Sequence, residues 1–488
     1  MPEGTERGQD MDNVKKTALD AVEAQKEVFC KLSDDIWDHP ELGFHEEYAA
    51  KRQMEALAQL GFENIKSGLG GIPTAFSGSW GHGRPVIAMV GEFDALADMS
   101  QKAGVVQCDP VVPGGNGHGC GHNLLGAGAI AAAYGVKEYL RTTGREGTVI
   151  YFGCPAEENG SGKAFLTRDG VFEGLDCALY WHPSVNNAVS TNKSLANFAV
   201  RYRFKGISAH ASDSPQRGRS ALDAVELMNT GVQYLREHVP SSVRMHYAIT
   251  DAGGISPNVV QAHAEVFYLL RAPRLAMVRD LYERVNKIAR GAAMMTETEV
   301  EIIFKKACSD RTINMTVAKV VQDNLDAVPK PEFTKEEMDF LTEIRASTGI
   351  TTDPANGVLA RLTPEQGEWV KQQPRVPICQ YAVPLRAVAQ SFSSNDLGDV
   401  SKRCPTGYLQ GCTWAAGTAA HSWQAVAQGK SSTAHKGMLF SAKVLAGAAV
   451  DLFEDAGKLA EAKAEFDASI AADPYVCPLP KDLPFPMD

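Results

Sequence analysis

Three short apolar runs in the first half of the chain each end in polar residues that can bind a ligand. The runs are PVIAMVGEFDAL (85–96), GTVIYFGCPAEE (147–158) and CALYWHP (177–183). Continuous apolar runs of this length are typical of strands buried on both faces, as in a parallel sheet. Helix-forming segments separate them, which predicts an α/β fold. Ligands in such folds bind beyond the carboxyl ends of the strands, where these polar residues lie.

The run HGCGHN (118–123) follows the first predicted strand and brings Cys120 and His122 together. Gly119 and Gly121 let the backbone bend so that neighbouring side chains can converge. The small apolar residues that follow, LLGAGAIAAAYGVKEYL, predict a buried helix that begins at this loop.

Further candidate ligands end the other two runs, at Glu157, Glu158 and His182. Thiolate, imidazole and carboxylate together suit Zn²⁺ or Mn²⁺ better than Ca²⁺ or Mg²⁺. These residues with one late histidine could hold two ions, which would share a water and polarise a carbonyl group. Of the adjacent acids, one could be a ligand and the other a base, which predicts hydrolysis of an amide bond.

Composition excludes several other classes of protein. The chain has 488 residues, which predicts at least two domains, and its net charge of −11 argues against nucleic acid as a partner. No apolar run is long enough for a membrane span, and the first residues do not resemble a signal peptide. The ten cysteines are scattered without a CxxC pair, so we expect reduced thiols in a cytoplasmic protein.

The sequence changes character near residue 192. NFAVRYRFKG alternates as a half-exposed antiparallel strand does, and a β-α-β-β-α-β order follows. We therefore predict catalytic segments over 1–191 and 309–488, with a smaller domain inserted at 192–308. Residues 12–60 are predicted to be helical, with a turn at His39 and Pro40, and no role is assigned to the polar stretch 330–375.

Several longer segments resemble the aminoacylase and glutamate-carboxypeptidase family of two-metal amidohydrolases. They include IWDHPELGFHEE, NGHGCGHNLLG, FGCPAEENGSGK, FKGISAHASDSPQRGRSALDAVELM and HSWQAVAQGKSSTAHKGM, and they extend nearly from end to end. The resemblance implies a zinc-peptidase-like catalytic α/β domain with an inserted, ferredoxin-like α+β lid that also mediates dimerisation. It also implies cleavage of an N-acyl or aroyl amino acid, first of all p-aminobenzoyl-glutamate, a folate breakdown product.

The resemblance also assigns ligands to two divalent ions, Zn²⁺ or Mn²⁺, with Cys120 as the bridge. The implied ligands are Cys120, His122, Glu158, His182 and His421. His435 is the alternative to His421. Where many relatives have His-x-Asp, this chain has Glu92-Phe93-Asp94, so Asp94 is expected to orient a ligand.

The implied catalytic residues are Glu157, as general base, and His210 of the lid, which would reach a neighbouring active site to stabilise the tetrahedral intermediate. Asn258 and Arg271 match lid positions that could hold the substrate's carboxylate, Arg271 by a bidentate contact. The loop Ser394–Gly398 matches an active-site loop only loosely.

Structural interpretations compete with these assignments. Cys120 could be a buried thiol, Glu157 and Glu158 could be a solvated helix start, and His182 could simply end a strand. Arg271 could form a structural ion pair and Asn258 a turn. His118 is expected to pack or support the loop, and His39 and His45 are expected to be structural.

Two alternatives for the function remain open from the sequence. The substrate could be another small amide, such as an indole-acetyl amino acid or a dipeptide. The chain could instead be a non-catalytic partner of an active paralogue. A homodimer and a heteromer with a homologous subunit are equally compatible with the sequence, and neither nucleic acid nor a membrane is expected as a partner.

Overall fold

A computed structural model describes residues 3–354 and 356–486 of the chain, and it contains two principal sheets with helices around them. The strands are β1 Glu63–Ser67, β2 Phe76–His82, β3 Val86–Glu92, β4 Gly147–Cys154, β5 Cys177–Ser184, β6 Ala188–Val189, β7 Asn192–Lys193, β8 Ala196–Lys205, β9 Arg244–Asp251, β10 His263–Ala272, β11 Glu299–Cys308, β12 Ala389–Gln390 and β13 Thr406–Cys412. The helices are α1 Glu3–Ala24, α2 Lys26–Trp37, α3 Glu47–Gln59, α4 His122–Thr143, α5 Gly162–Arg168, α6 Ala221–Leu235, α7 Leu275–Thr296, α8 Met315–Ala327, α9 Lys335–Ser347, α10 Asn356–Leu359, α11 Pro364–Lys371, α12 Leu397–Val400, α13 Trp423–Gln428, α14 Ser432–Glu454 and α15 Ala456–Ala472.

The larger sheet has seven strands in the order β1-β2-β4-β3-β5-β13-β6. Its centre, β4-β3-β5-β13, is parallel, and the outer strands run antiparallel. The three apolar runs are β3, β4 and β5, so the prediction of buried parallel strands is confirmed. Their carboxyl ends meet at one edge of the sheet, together with the end of β13.

Helix α4 is buried along almost its whole length, as predicted from its small residues. It packs against β3 and against α1, α2 and α14. A Cβ atom built on Gly128 would lie 2.7 Å from Trp181 Cζ2, so the close approach of α4 to β5 requires a residue without a side chain. This packing fixes the start of α4, where His122 lies.

The smaller sheet contains β8 to β11 in the order β11-β8-β10-β9, with every pair antiparallel. With α6 and α7 it has the predicted β-α-β-β-α-β order, which confirms the ferredoxin-like lid. The expectation of a half-exposed first strand is correct only from Arg201 onward. Residues 196–200 of β8 are buried, because α7 packs on β8 and the other face of its first residues lines the site.

The division into 1–191, 192–308 and 309–488 stays a prediction. Strand β7, at the start of the predicted lid, pairs in parallel with β12 rather than within the lid sheet. The described lid sheet begins four residues later, at Ala196.

The polar stretch 330–375 contains α9, α10 and α11, which enclose a small apolar cluster. Thr334 and Thr363 begin α9 and α11 with capping boxes. The end of α9 contacts the segment that leads to His421, through Arg345 to the Ala416 carbonyl at 2.5 Å. This stretch therefore supports a loop of the candidate site.

The N-terminal helices agree with the prediction for 12–60, as α1, α2 and α3 surround a turn at His39 and Pro40. In the described part of the chain, none of the helices has the length and apolar character needed to cross a membrane.

Candidate active site

The loop before α4 places Cys120 and His122 at the carboxyl edge of the larger sheet. Gly121 between them is left-handed at φ 74°, and α4 begins at the next residue. A Cβ atom on Gly121 would lie 3.0 Å from the ring of Pro183, so a glycine is required at this contact. The two candidate ligands therefore lie against the end of β5, beside His182.

Three groups of possible metal ligands lie among the described residues, and two of them share Cys120. One group combines Cys120 with His122 and His182, and the other combines it with Glu158 and His421; within each, the ligand atoms lie within 4.8 Å of one another. Cys120 Sγ is 3.5 Å from His182 Nε2, and His421 Nε2 is 3.3 Å from Glu158 Oε1. All five predicted ligands are thus brought together.

The chemistry of this donor set fits two divalent ions. His122 Nε2 and Glu158 Oε1 are buried and have no well-formed hydrogen bond among the described residues. Such atoms are costly unless something else, such as a metal ion, satisfies them. Sulfur, nitrogen and oxygen donors together are a usual ligand set for divalent transition-metal ions.

Hydrogen bonds orient the ligands. Asp94 Oδ1 accepts a hydrogen bond from His122 Nδ1 at 2.8 Å, and its Oδ2 accepts one from the Glu158 backbone N–H at 2.9 Å. His182 Nδ1 lies 2.7 Å from the Pro183 carbonyl. Both rings therefore turn Nε2 towards the centre, an arrangement usual for metal-binding histidines. The structure gives Asp94 the contacts expected of an orienting residue.

The surroundings of the adjacent carboxyl groups Glu157 and Glu158 shift their pKa values in opposite directions. Burial, with the charges of Glu158 and Glu92, raises the pKa of Glu157 well above its ordinary value. Burial would also raise the pKa of Glu158, but the contact with His421 and the charge of His122 hold it at about 2. Paired acids whose pKa values are pushed apart divide into a proton carrier and a permanently charged group.

Glu157 is also held in place from the other side of the cleft. Asn395 Nδ2 donates a hydrogen bond to Glu157 Oε1 at 3.0 Å. The sequence indicated this loop only loosely, since a lone asparagine in a serine-rich turn carries no signal of its target.

A fully buried charge cluster lies beneath the ligands, and sequence reasoning missed it. Lys163 Nζ is 2.5 Å from Glu92 Oε1 and 2.7 Å from Asp396 Oδ1, and Tyr180 donates to Glu92 Oε2 at 2.9 Å. The Lys163 backbone N–H donates to Asp396 Oδ2 at 2.9 Å, which anchors the loop that carries Asn395. Only the position of Glu92 at a strand end could have indicated this cluster.

The backbone is strained around the site. Ala156, Ser161 and His421 have left-handed φ values of 58°, 57° and 59°. Such conformations cost non-glycine residues about 1 kcal/mol or more each and often accompany functional sites. The strain fixes the two turns that present Glu157, Glu158 and His421.

A cavity of about 430 Å³ opens between the metal-ligand cluster and the lid, and Arg271 lines it. The residues that line the cavity include neither His210 nor Asn258. Both residues are exposed on the lid, and their backbones lie close together. His210 pairs with Val259 in an isolated antiparallel β-bridge, and the Asn258 carbonyl accepts a hydrogen bond from the Ala211 N–H at 2.9 Å. His210 is predicted to act in a neighbouring active site and Asn258 to bind the substrate's carboxylate, and both roles stay predictions.

Three histidines that the sequence analysis considered, His435, His118 and His39, make contacts away from the candidate ligands. His435 Nε2 lies 2.9 Å from Asp34 Oδ1 between α14 and α2, outside the ligand groups. His118 is buried with Nε2 3.2 Å from the Ile36 carbonyl, and His39 stacks on Tyr48. His118 and His39 have the structural contacts that were expected of them.

Comparison with known proteins identifies relatives of the chain. The sequence profile of peptidase family M20/M25/M40 matches residues 88–348. A p-aminobenzoyl-glutamate hydrolase subunit of Escherichia coli (strain K12) is 46% identical over 477 residues, which cover 97% of this chain and 99% of that protein. The Xaa-Arg dipeptidase of Mus musculus is 30% identical over 311 residues, covering 61% of this chain and 68% of that protein.

The fold also matches solved structures. A dinuclear metal-binding peptidase of the M20 family from Bacillus subtilis superimposes with a TM-score of 0.53 and 17% sequence identity. The match covers 88% of this chain and 99% of that one.

Proposed function

Because the chain belongs to peptidase family M20/M25/M40 and is a metal-dependent hydrolase of amide bonds, we propose that it cleaves p-aminobenzoyl-glutamate to p-aminobenzoate and glutamate. The observation that carries this proposal is the 46% identity to the Escherichia coli hydrolase subunit over nearly the whole of both chains. The cluster of candidate ligands around Cys120 also supports the proposal, because two ions held there could polarise the carbonyl group of an amide bond.

The ions would be held by two sets of residues. His122 and His182 would bind one ion, Glu158 and His421 the other, and Cys120 would contact both. When bound, the two ions lower the pKa of a water molecule and polarise the scissile carbonyl. Zn²⁺ and Mn²⁺ are both proposed, because the thiolate favours zinc while mixed nitrogen and oxygen donors accept manganese.

Glu157 is the proposed general base. Its carboxyl group lines the cavity beside the ligands, and the hydrogen bond from Asn395 fixes one of its oxygens. The raised pKa suits a group that takes a proton from the attacking water and passes it to the leaving amine near neutral pH.

Arg271 is proposed to bind the α-carboxylate of the leaving amino acid. It lies on the lid strand β10 and lines the cavity, and its Nε is buried without a hydrogen-bond partner among the described residues. A guanidinium group binds a carboxylate by two parallel hydrogen bonds. His210 and Asn258 would complete the site from a neighbouring subunit.

We also propose that the chain works in an oligomer with a homologous subunit, because the Escherichia coli relative is named as one subunit of its hydrolase. In a homodimer, the second copy of this chain would supply His210 and Asn258 to the site. The proposed compartment is the cytoplasm, where the free cysteines would stay reduced.

The decisive experiment follows glutamate release from p-aminobenzoyl-glutamate by the purified chain, stripped of metal and then resupplied with Zn²⁺ or Mn²⁺. Metal-dependent release is expected, and Glu157→Gln should lower kcat by about 10²- to 10⁴-fold while metal content stays unchanged. If the loaded wild-type chain releases no glutamate, alone or with a homologous subunit, the proposed substrate is wrong.

A further inference from the structure

The lid sheet turns one row of side chains towards the cavity. Arg271 of β10 pairs with Asn197 of β8, and Asn197 pairs with Cys308 of β11. Residues that face each other on adjacent strands project from the same side of a sheet. All three line the cavity, so this side of the lid sheet forms its roof.

A second row lies two residues further along the same strands. Leu269 of β10 pairs with Ala199 of β8, and Ala199 pairs with Lys306 of β11. Leu269 and Lys306 both line the cavity. The roof therefore carries two cationic side chains, Arg271 on one side of β8 and Lys306 on the other.

Neither cation has a carboxylate partner among the described residues. The Lys306 ammonium group donates to the Glu158 carbonyl at 3.3 Å, and Arg271 Nε has no hydrogen-bond partner in the part of the chain that the structure describes. The nearby Lys163, by contrast, contacts two carboxylates. Charges inside a protein are normally paired, and although the carboxyl groups of Glu157, Glu158 and Asp396 lie near enough to act on Lys306, none of them contacts it. A ligand can therefore supply the carboxylate that each of the two cations does not contact.

The spacing of the two cations fits a small dianion. Strands β10 and β11 flank β8, so their backbones lie about 10 Å apart at this point. Arginine and lysine side chains are long enough for Arg271 and Lys306 to contact the same bound amino acid from opposite sides. An amino acid with one carboxylate on Cα and another at the end of a short side chain would contact both.

We propose that Lys306 is a specificity residue that binds the second carboxylate of the leaving amino acid, while Arg271 binds the first. The inference rests on the proposed function and extends it: the enzyme selects amides of dicarboxylic amino acids. A neutral side chain would leave Lys306 without a counter-ion, and a basic side chain would be repelled. Sites that hydrogen-bond a polar substrate group discriminate strongly against analogues that lack it.

The test measures binding separately from turnover. In metal-loaded Glu157→Gln protein, calorimetry gives the Kd of p-aminobenzoyl-glutamate and of p-aminobenzoyl-glutamine, which lacks only the second negative charge. Adding Lys306→Met should weaken binding of the glutamate compound about tenfold or more and change binding of the glutamine compound less than about twofold. Lys306→Arg should restore part of the preference.

Lys205→Met is the matched control, since Lys205 lies on the same sheet, at the exposed end of β8 and outside the cavity. Equal losses for both compounds on Lys306→Met would overturn the proposal, because they would mean that Lys306 acts on a shared part of the substrate or on the fold. Unchanged binding of both would overturn it as well. If the expected preference is measured but the wild-type chain releases no glutamate, the specificity site stands and the proposed function fails.

Discussion

Glu157 and Glu158 are neighbours in sequence but differ in what surrounds each carboxyl group. Glu158 faces His421 and His122, while Glu157 is half-buried and receives its hydrogen bond from the neutral amide of Asn395. The pair of acids was visible in the sequence. The division of labour between them was not, because it depends in part on Asn395 and His421, which lie more than two hundred positions away.

Replacing Asn395 tests how Glu157 is held. A hydrogen bond to a carboxylate favours its charged form, so Asn395→Ala should raise the already raised pKa of Glu157 further. A base is active when deprotonated, and activity is lost as pH falls through its pKa. We therefore expect kcat to fall about tenfold near neutral pH.

The measurement is the pH dependence of kcat, whose acid limb should move to higher pH while KM stays nearly constant. Metal content, determined on the same samples, controls for damage to the ligands. An acid limb at the wild-type position would show that Asn395 does not set the protonation of Glu157.

Among the helices and strands, the start of α4 determines how far apart the candidate metal ligands of α4 and β5 lie. Gly121 has a positive φ, and a Cβ atom there would also come within 3.1 Å of Trp414 Cζ2. Pro183, on its other side, directly follows His182. A side chain at this position would push ligands from α4 and β5 apart.

We predict that Gly121→Ala lowers metal affinity about 10- to 100-fold, the range seen when the support of metal ligands is disturbed. Gly144→Ala is the matched control, because Gly144 ends the same helix at φ 65° with no atom within 4 Å of its added Cβ. Each variant should lose about 1 kcal/mol of stability from backbone strain. Competition with a chelator measures affinity, and equal metal affinity in the two variants would contradict the prediction.

The elements that the sequence predicted best are those with a strong local signal. Strands β3, β4 and β5 are continuous apolar runs, and α4 is a run of small apolar residues after a glycine-rich loop. The stretch 330–375 was left unassigned, because short polar helices such as α9 and α11 bury few residues each. Lys163 and Lys306 were missed because charged residues are ordinarily exposed, and the burial of Lys163 depends on Glu92 and Asp396, which come from distant segments.

Considering the whole molecule, the last described residues join the lid to the larger sheet. Arg279 of α7 donates to the carbonyl groups of Val476 and Cys477 at 3.1 and 2.8 Å. Further along, the Leu483 carbonyl accepts from Arg168 at 2.6 Å, and Phe485 packs on Phe44 with ring centroids 5.2 Å apart. This C-terminal segment, residues 473–486, thus contacts helix α7 of the lid and, through Arg168 and Phe44, elements beside the larger sheet.

Removing the chain after residue 472 should lower the thermal unfolding midpoint by about 5 °C or more, since several hydrogen bonds and a buried leucine are lost. Arg279→Met, which removes only the link to the lid, should cause a smaller decrease. Differential scanning calorimetry measures both. A truncated chain with the wild-type midpoint would show that the C-terminal segment contributes nothing to stability.

The buried charge cluster of Glu92, Lys163 and Asp396 also has a consequence for folding during translation. Its three members are far apart in sequence, so Glu92 and Lys163 are both available for pairing long before Asp396 has been added. His421 follows Asp396 in the chain and emerges later still. A nascent chain can therefore complete β3, β4 and β5 before Asp396 is added, but it acquires the full set of candidate ligands only after His421 has emerged.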